Sequence, residues 1–310
     1  MYLNTVMNLA RQRGLMGFRI LAAVFLLILS SAQPISAKAD PDQILGIAAR
    51  YPADRGIAAD EDVVVAFDFE GDQWTDDLEV HAPSDAISLV EANTDIASFK
   101  PLNGRAISME VKSGDFYGGS LEYFFAKHNE GIEPEAIYFR YYLRFGEDWD
   151  GLGGKLPGFG GTYNRAGWGG KPSNGYNGWS ARGSFGRIKN DKVPIGTYCY
   201  HADMTSQYGS AWHWDLGNRG LLEKNRWYCI EQFLHLNSPD ASNGIIRAWV
   251  DGKIAFEKTD IKFRKTDKLR IEKAWFNVYH GGKTRATSED HLFIDNIVIA
   301  RRYIGPLQPD

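Results

Sequence analysis

The sequence predicts an all-β protein, an antiparallel β-sandwich of the jelly-roll kind, on three observations. Short runs of alternating apolar and polar residues recur from Val63 onward, and Gly, Asp and Asn separate them. One pair of runs, Ile245–Val250 and Lys253–Lys258, flanks an Asp-Gly step, a strong short-range signal of a β-hairpin. No alternation of strands with helices and no internal repeat is present.

Residues 40–62 read as a loosely held N-terminal extension with one short helix, ahead of a folded domain at 63–310. VVVAFDFEG opens that domain, with Val63, Val65 and Phe67 on one face and a Gly ending the run. Trp74–Ile96 holds strand-like pieces such as SLVEAN, split by Asp, Pro and Ser. Ile107–Ser113 and Ser120–Lys127 are strands on either side of a GDFYGG turn. In the long strand Ala136–Gly146, Phe139, Tyr141, Leu143 and Phe145 form the better core face. The opposite face, Tyr138, Arg140, Tyr142 and Arg144, offers cations and phenols to solvent or to a cleft.

A Gly-rich stretch follows, with Lys155 in a tight KLPG turn and a loop at 158–178 placed to act as a lid. Trp179–Phe185, Thr197–His201 and Ser210–Leu216 are short strands. Asn225–Asn237 reads as a strand because its Trp, Tyr, Cys, Ile, Phe and Leu nearly alternate. Lys273–Gly282 and HLFIDNIVIARRYIG close the fold, with a bulge at Asp295-Asn296. In such a concanavalin A-like sandwich, one curved sheet offers a face along which a polymer can lie. Trp149, Trp168, Trp179, Trp212, Trp214 and Trp275 suit the apolar faces of sugar rings, although each alone suits a core equally well.

Residues 1–39 differ from the rest. Arg11, Arg13, Arg19 and Lys38 stand there with no acidic residue, and the apolar run Ile20–Leu29 leads into SSAQPISAKAD. That is the pattern of a signal peptide cleaved after Ala37 or Ala39, and it predicts export to the periplasm or the medium, without stable membrane insertion after cleavage. An uncleaved membrane anchor is the alternative, although ten apolar residues are few for a span. Cleavage removes 4 of 35 basic residues and none of 39 acidic ones, leaving 31 against 39, a formal −8. An acidic chain of this kind is a poor nucleic-acid binder. Against that global sign, residues 151–192 carry seven Lys or Arg and one acid, which marks an anion-handling surface. The two cysteines, Cys199 and Cys229, are either a disulfide or two buried thiols, and nothing has the spacing of a zinc or Fe–S site.

Strand alternation places Ser180 and Arg182 on one face, Tyr198 and Tyr200 on another shared face, and Cys199 opposite the tyrosines. Asn277 shares a face with Trp275 and Tyr279, and His280 stands at that strand's end, so both are candidates to help neutralise a carboxylate. His201 and His213, each out of phase with its neighbours, read as structural. Glycoside hydrolysis needs two facing carboxylates, and the candidate strands are poor in them. No nucleophile elbow, P-loop or HExxH occurs. The inventory of Lys, Arg and Tyr fits instead β-elimination on a uronic-acid polymer. Cations neutralise the uronate carboxylate and stabilise the developing enolate, a base takes the C5 proton, and an acid protonates O4. Nearby cations are expected to favour a tyrosine phenolate and lower its pKa.

These residues carry a family resemblance. GGKLPG at Gly153–Gly158, Ser-x-Arg at 180–182, Tyr-x-Tyr at 198–200, WFNVYHGG at Trp275–Gly282 and the closing YIGP resemble polysaccharide lyase family 14 across roughly residues 63–306. The resemblance implies a β-jelly roll acting on alginate or glucuronan, with Lys155, Ser180, Arg182, Tyr198 and Tyr200 lining the catalytic cleft and a Tyr or the Lys moving the proton. It implies no metal and no other cofactor. Arg140, Arg165, Lys171, Trp212, Trp275, Asn277 and His280 are the expected substrate contacts, and a monomer acting on an acidic polysaccharide is the expected assembly. Two other readings stay open: a non-catalytic carbohydrate-binding domain, which needs cations but no proton-transfer pair, and a glycoside hydrolase, which needs a carboxylate pair in the cleft.

Overall fold

The computed structural model describes residues 45–83, 85–282 and 284–309, so the signal peptide expected at 1–39 lies outside the described residues. In chain order the strands are β1 (Val63–Phe67), β2 (Glu79–His81), β3 (Ile87–Val90), β4 (Ala106–Val111), β5 (Tyr117–Phe124) and β6 (Ala136–Phe145). Then come β7 (Gly153–Gly161), β8 (Trp179–Gly186), β9 (Lys192–Tyr200), β10 (Ser210–His213), β11 (Leu221–Glu223) and β12 (Tyr228–His235). β13 (Gly244–Val250), β14 (Lys253–Ile261), β15 (Lys273–His280) and β16 (Asp290–Ala300) complete them. They form two antiparallel sheets, the jelly-roll sandwich that the alternation predicts. A back sheet runs β14-β13-β12-β6-β16-β4-β3, with β1 sharing the edge of β16 beside β4. A cleft sheet runs β10-β9-β8-β7-β15-β5-β2, with β11 beside β9.

One continuous apolar core fills the space between the sheets. Phe139, Tyr141 and Leu143 of β6 meet Phe159 of β7 and Phe276 of β15, and Phe139 stands edge-on to both phenylalanines at 5.7 and 4.9 Å. Burial of such rings is the main stabilising term of the sandwich. The Asp251-Gly252 hairpin forms as the sequence predicts, with φ of 50° and 74° at the two turn residues. The bulge at Asp295-Asn296 forms too, and Asn296 adopts φ 43°.

Two expectations change. Lys155 is not in a turn: Gly153–Gly161 is a nine-residue central strand, and Pro157 is tolerated because the register shifts there, between Leu156 and Gly158. The Pro157 carbonyl, freed from the ladder, accepts a hydrogen bond from Gln232 Nε2 across the sandwich at 2.9 Å. Nor is the extension loosely held. Three short 3₁₀ turns cover 47–59, the Ala48 N–H donates to the Ile304 carbonyl at 2.8 Å, and Ile47, Ala48 and Ile57 pack on Val298, Ala300 and Ile304.

Candidate active site

Four neighbouring strands of the cleft sheet, β15-β7-β8-β9, build the site. Trp179, Ala181 and Phe185 of β8 and Val193, Ile195 and Cys199 of β9 enter the core. Their neighbours Arg182, Ser184, Tyr198 and Tyr200 therefore face outward. Register sets the spacing: Arg182 lies opposite Tyr198, Ser180 opposite Tyr200, and Lys155 between Ser184 and Tyr279. Lys155, Arg182, Tyr198 and Tyr200 line one cavity of about 860 Å³, which also takes in Tyr208, His213 and Tyr279 and, among the described residues, no Asp or Glu. A second cavity of about 730 Å³ shares Arg182, Tyr279 and Gly169 with the first and adds Trp168, Trp275, Asn277, Glu122 and Lys273. Together they form an elongated cleft, and the Gly169 region of the 162–178 loop borders both halves.

Lys155 is only 8% exposed, and its Nζ sits 3.6 Å from the centre of the Tyr198 ring. Burial, reinforced by the Arg182 charge, depresses its pKa to about 7. Arg182 is lowered to about 10 by burial, which the neighbouring tyrosines partly oppose, so it stays charged at neutral pH. Its Nη1 donates to Asn277 Oδ1 at 3.0 Å, and its guanidinium covers the Trp275 ring at 4.4 Å. Asn277 Nδ2 in turn donates to the Gly119 carbonyl at 3.2 Å, which fixes the amide's orientation. Tyr200 moves against expectation: burial, with Tyr198 beside it, raises it to about 12, and the Arg182 charge only partly opposes this. At neutral pH the cleft thus holds an amine that readily loses its proton and a phenol that keeps its own.

Several expected contacts lie elsewhere. Arg140 is fully buried on the outer face of the back sheet, paired with Asp54 (Nη1 to Oδ1 3.1 Å) and donating to the Gly305 and Asn296 carbonyls. It ties down the N-terminal extension. His280 points into the core beside Trp149 and Phe185, with Nε2 3.1 Å from Asp290 Oδ2, because it is out of phase with Asn277 on β15. Trp212 turns inward and stacks on Phe256 of the back sheet at 6.3 Å; its neighbours Ala211 and His213 face the cleft. Ser180 is on the cleft side, but its buried hydroxyl donates to the Gly167 carbonyl at 2.5 Å and pins the loop. Arg165 is exposed and lines neither cavity, and Lys171 lies 4.6 Å over the Trp168 ring at the cleft margin. Of the six tryptophans expected to suit sugar rings, Trp149, Trp179 and Trp214 are core and only Trp168 and Trp275 line the cleft. Cys199 and Cys229 are free thiols: Cys199 enters the inter-sheet core, whereas Cys229 lies out of phase with the core residues Tyr228 and Ile230.

Sequence reasoning missed Tyr279, Tyr208, His213 and the buried Lys273–Glu122 pair (2.6 Å), and it named Trp168 only as one of six tryptophans suited to sugar rings. Tyr279 and His213 were within reach, since each alternates with residues now seen in the core. Tyr208 and Trp168 sit on loops, where no periodicity applies.

A long cleft on one sheet of a jelly roll, whose larger cavity is lined by Lys155, Arg182 and phenols and whose acids lie in the other cavity, with Glu122 paired to Lys273, is the arrangement of a polysaccharide lyase rather than a glycosidase. The sequence matches the family model Polysaccharide lyase 14 over residues 105–293. The chain belongs to polysaccharide lyase family 14. Its fold is similar to that of the marine PL-14 alginate lyase from Aplysia kurodai, with TM-score 0.59, 18% identity, and 76% of this chain and 98% of that one covered. Alginate lyase vAL-1 from Chlorella virus gives 0.54, 16%, 77% and 99%. Alginate lyase Aly36B, in a mutant form complexed with an alginate tetrasaccharide, gives 0.53, 19%, 65% and 82%. No curated protein matches the chain.

Proposed function

We propose that this lyase is exported and cleaves an acidic polyuronate, alginate or glucuronan, by β-elimination. The observation that carries this is the convergence of Lys155, Arg182, Tyr198 and Tyr200 on one cavity that no Asp or Glu lines among the described residues. Arg182, oriented by Asn277, binds the uronate carboxylate and makes the C5 proton acidic. The C5–H bond breaks and its proton passes to the neutral amine of Lys155, whose lowered pKa suits a general base near neutrality. The C4–O4 bond breaks as C4=C5 forms, and the departing O4 takes a proton from Tyr200, which its raised pKa keeps protonated. Tyr198 carries Lys155 on its ring and holds the amine in place. Ser180 acts through the 162–178 loop, and Trp275 and Trp168 support sugar rings along the second cavity. Residues 1–39 are the cleaved signal, 40–62 an extension and 63–310 the catalytic domain; the mature protein is a monomer in the periplasm or medium.

Purified protein mixed with alginate, glucuronan or a neutral glucan tests this. The polyuronates should develop the ultraviolet absorbance of a C4=C5 bond conjugated to a carboxylate, and the glucan should not. Reducing ends appearing without that absorbance would mean hydrolysis and would overturn the proposal.

A further inference from the structure

The two halves of the cleft differ in charge. The larger cavity is lined by Lys155 and Arg182 and, among the described residues, by no Asp or Glu. The second cavity shares Arg182 but is also lined by Glu79, Glu122 and Glu272, against Lys273 and His81. Each of those groups is already engaged. Lys273 Nζ donates to Glu122 Oε2 at 2.6 Å, and both side chains are buried. Glu79 pairs with Lys127 and lies 3.6 Å from His81 Nε2. Glu272 Oε2 accepts the Thr162 and Tyr163 N–H groups, each at 2.8 Å. Among the described residues that line the second cavity, Arg182 is therefore the one cation whose charge no carboxylate cancels.

Glu122 is fixed by more than Lys273. Its Oε1 accepts the Ser120 hydroxyl at 3.0 Å, and that serine oxygen accepts the Trp275 indole N–H at 2.7 Å. The Trp275 ring carries both cations, with the Arg182 guanidinium and the Lys273 ammonium each 4.4 Å from its centre. One indole thus supports a cation left open and a cation cancelled by Glu122. A homopolymer of uronates brings a carboxylate on every sugar. Once Arg182 holds the sugar that reacts, a further carboxylate in the second cavity meets Glu122 and no open cation to receive it. Sugar hydroxyls fit there instead, because carboxylate oxygens accept their protons and the Trp275 and Trp168 rings offer apolar support. We infer that Glu122 sets the substrate class of this lyase: the sugar in the second cavity is read through its hydroxyls and needs no carboxylate, so polymers in which neutral sugars separate the uronates are substrates alongside homopolyuronates. This rests on the β-elimination proposed above and adds where along the cleft a charge is required.

The test compares the polyuronate that the protein cleaves, alginate or glucuronan, with the same polymer after reduction of about four-fifths of its carboxyls to primary alcohols, scored by the absorbance of the new C4=C5 bond. Wild-type kcat/KM per remaining uronate should stay within about twofold, whereas a cavity that demands a second uronate would lower it about fivefold, the chance that the neighbouring sugar has kept its carboxylate. Glu122→Gln keeps an acceptor for Lys273 but leaves the ammonium charge open. It should come to favour the unreduced polymer over the reduced one by about tenfold. A loosened cleft would slow both polymers alike, so the ratio isolates the charge. A wild-type fall of about fivefold or more, or an unchanged ratio in Glu122→Gln, overturns the inference, while turnover of the unreduced polymer leaves the lyase reading standing. The wild-type comparison decides even if the variant does not fold. No absorbance from either polyuronate refutes the lyase reading itself, and this inference with it.

Discussion

Lys155→Met isolates the feature on which the proposed chemistry turns, an amine kept from its normal charge. In the folded protein its pKa falls from 10.5 to about 7 through burial and the Arg182 charge. The native state then binds fewer protons than the unfolded chain between those values, so wild-type stability rises with pH across that window. Below pH 7 the full penalty applies, and at about 1.4 kcal/mol per unit it amounts to about 5 kcal/mol. The ammonium's contact with the Tyr198 ring returns about 1–2 kcal/mol. Methionine, of similar length and uncharged, should therefore stabilise the fold by about 3 kcal/mol at pH 6. That is a urea midpoint about 1 M higher at a typical slope. The gain should shrink by about 1.4 kcal/mol per pH unit above 7 and be gone by about pH 9. Urea melts at pH 6, 8 and 9.5 provide the comparison, and the same samples should show no turnover. A variant no more stable than wild type at pH 6, or a gain constant with pH, would refute the account of how the amine is held.

The same groups set the pH dependence of turnover. The Lys155 amine must be free, so kcat/KM should rise about tenfold per unit up to about pH 7 and then level, since Tyr200 keeps its proton to about 12; a profile falling above pH 8 would contradict the assignment. Arg140→Ala should cost about 3–5 kcal/mol by stranding Asp54, yet leave KM of the folded enzyme unchanged at 20 °C. A raised KM with unaltered Tm would return Arg140 to the substrate. Asn277→Asp places a carboxylate about 3 Å from the Arg182 guanidinium. It should lower kcat/KM on polyuronates by about a hundredfold without loss of stability, and activity within twofold of wild type would count against the carboxylate-binding role of Arg182.

Alternation made much of the site legible. Trp179-Ser180-Ala181-Arg182 and Tyr198-Cys199-Tyr200 obey a period of two, so the faces assigned to Arg182, Tyr198, Tyr200 and Cys199 follow from strand geometry alone. The same parity argues against His280 as a partner of Asn277, three residues away, and against Trp212 on a strand whose Ala211 lies opposite Tyr198. The Gly and Pro around Lys155 point to a turn because they usually mark turns; a bulge opposite Gly183 lets them stand in a central strand instead. Arg140 shows a different limit. Periodicity says that it faces outward from the core, but what covers an outer face depends on where residues 45–60 fold back, and no local pattern encodes that. The shift of Tyr200 runs opposite to what a neighbouring cation alone implies, because burial, which no local sequence pattern shows, outweighs the Arg182 charge.

The charge arrangement around Arg182 explains why a neutral residue stands at 277. Lys273, also buried on the cleft sheet, is compensated by Glu122 at 2.6 Å. Arg182 is instead held by an amide at 3.0 Å, and its Nε meets no acceptor. An amide supplies the hydrogen bond that orients a guanidinium but leaves its charge uncancelled. That uncancelled charge is also the second cause of the depressed Lys155 pKa. A carboxylate at 277 would satisfy Arg182 and relieve Lys155, and in the proposed mechanism it would take the place of the uronate and return the base to its charged form. On the proposed mechanism the uncancelled charge of Arg182 and the capacity for β-elimination have one origin, because an anionic sugar entering beside Arg182 supplies the charge that the protein withholds.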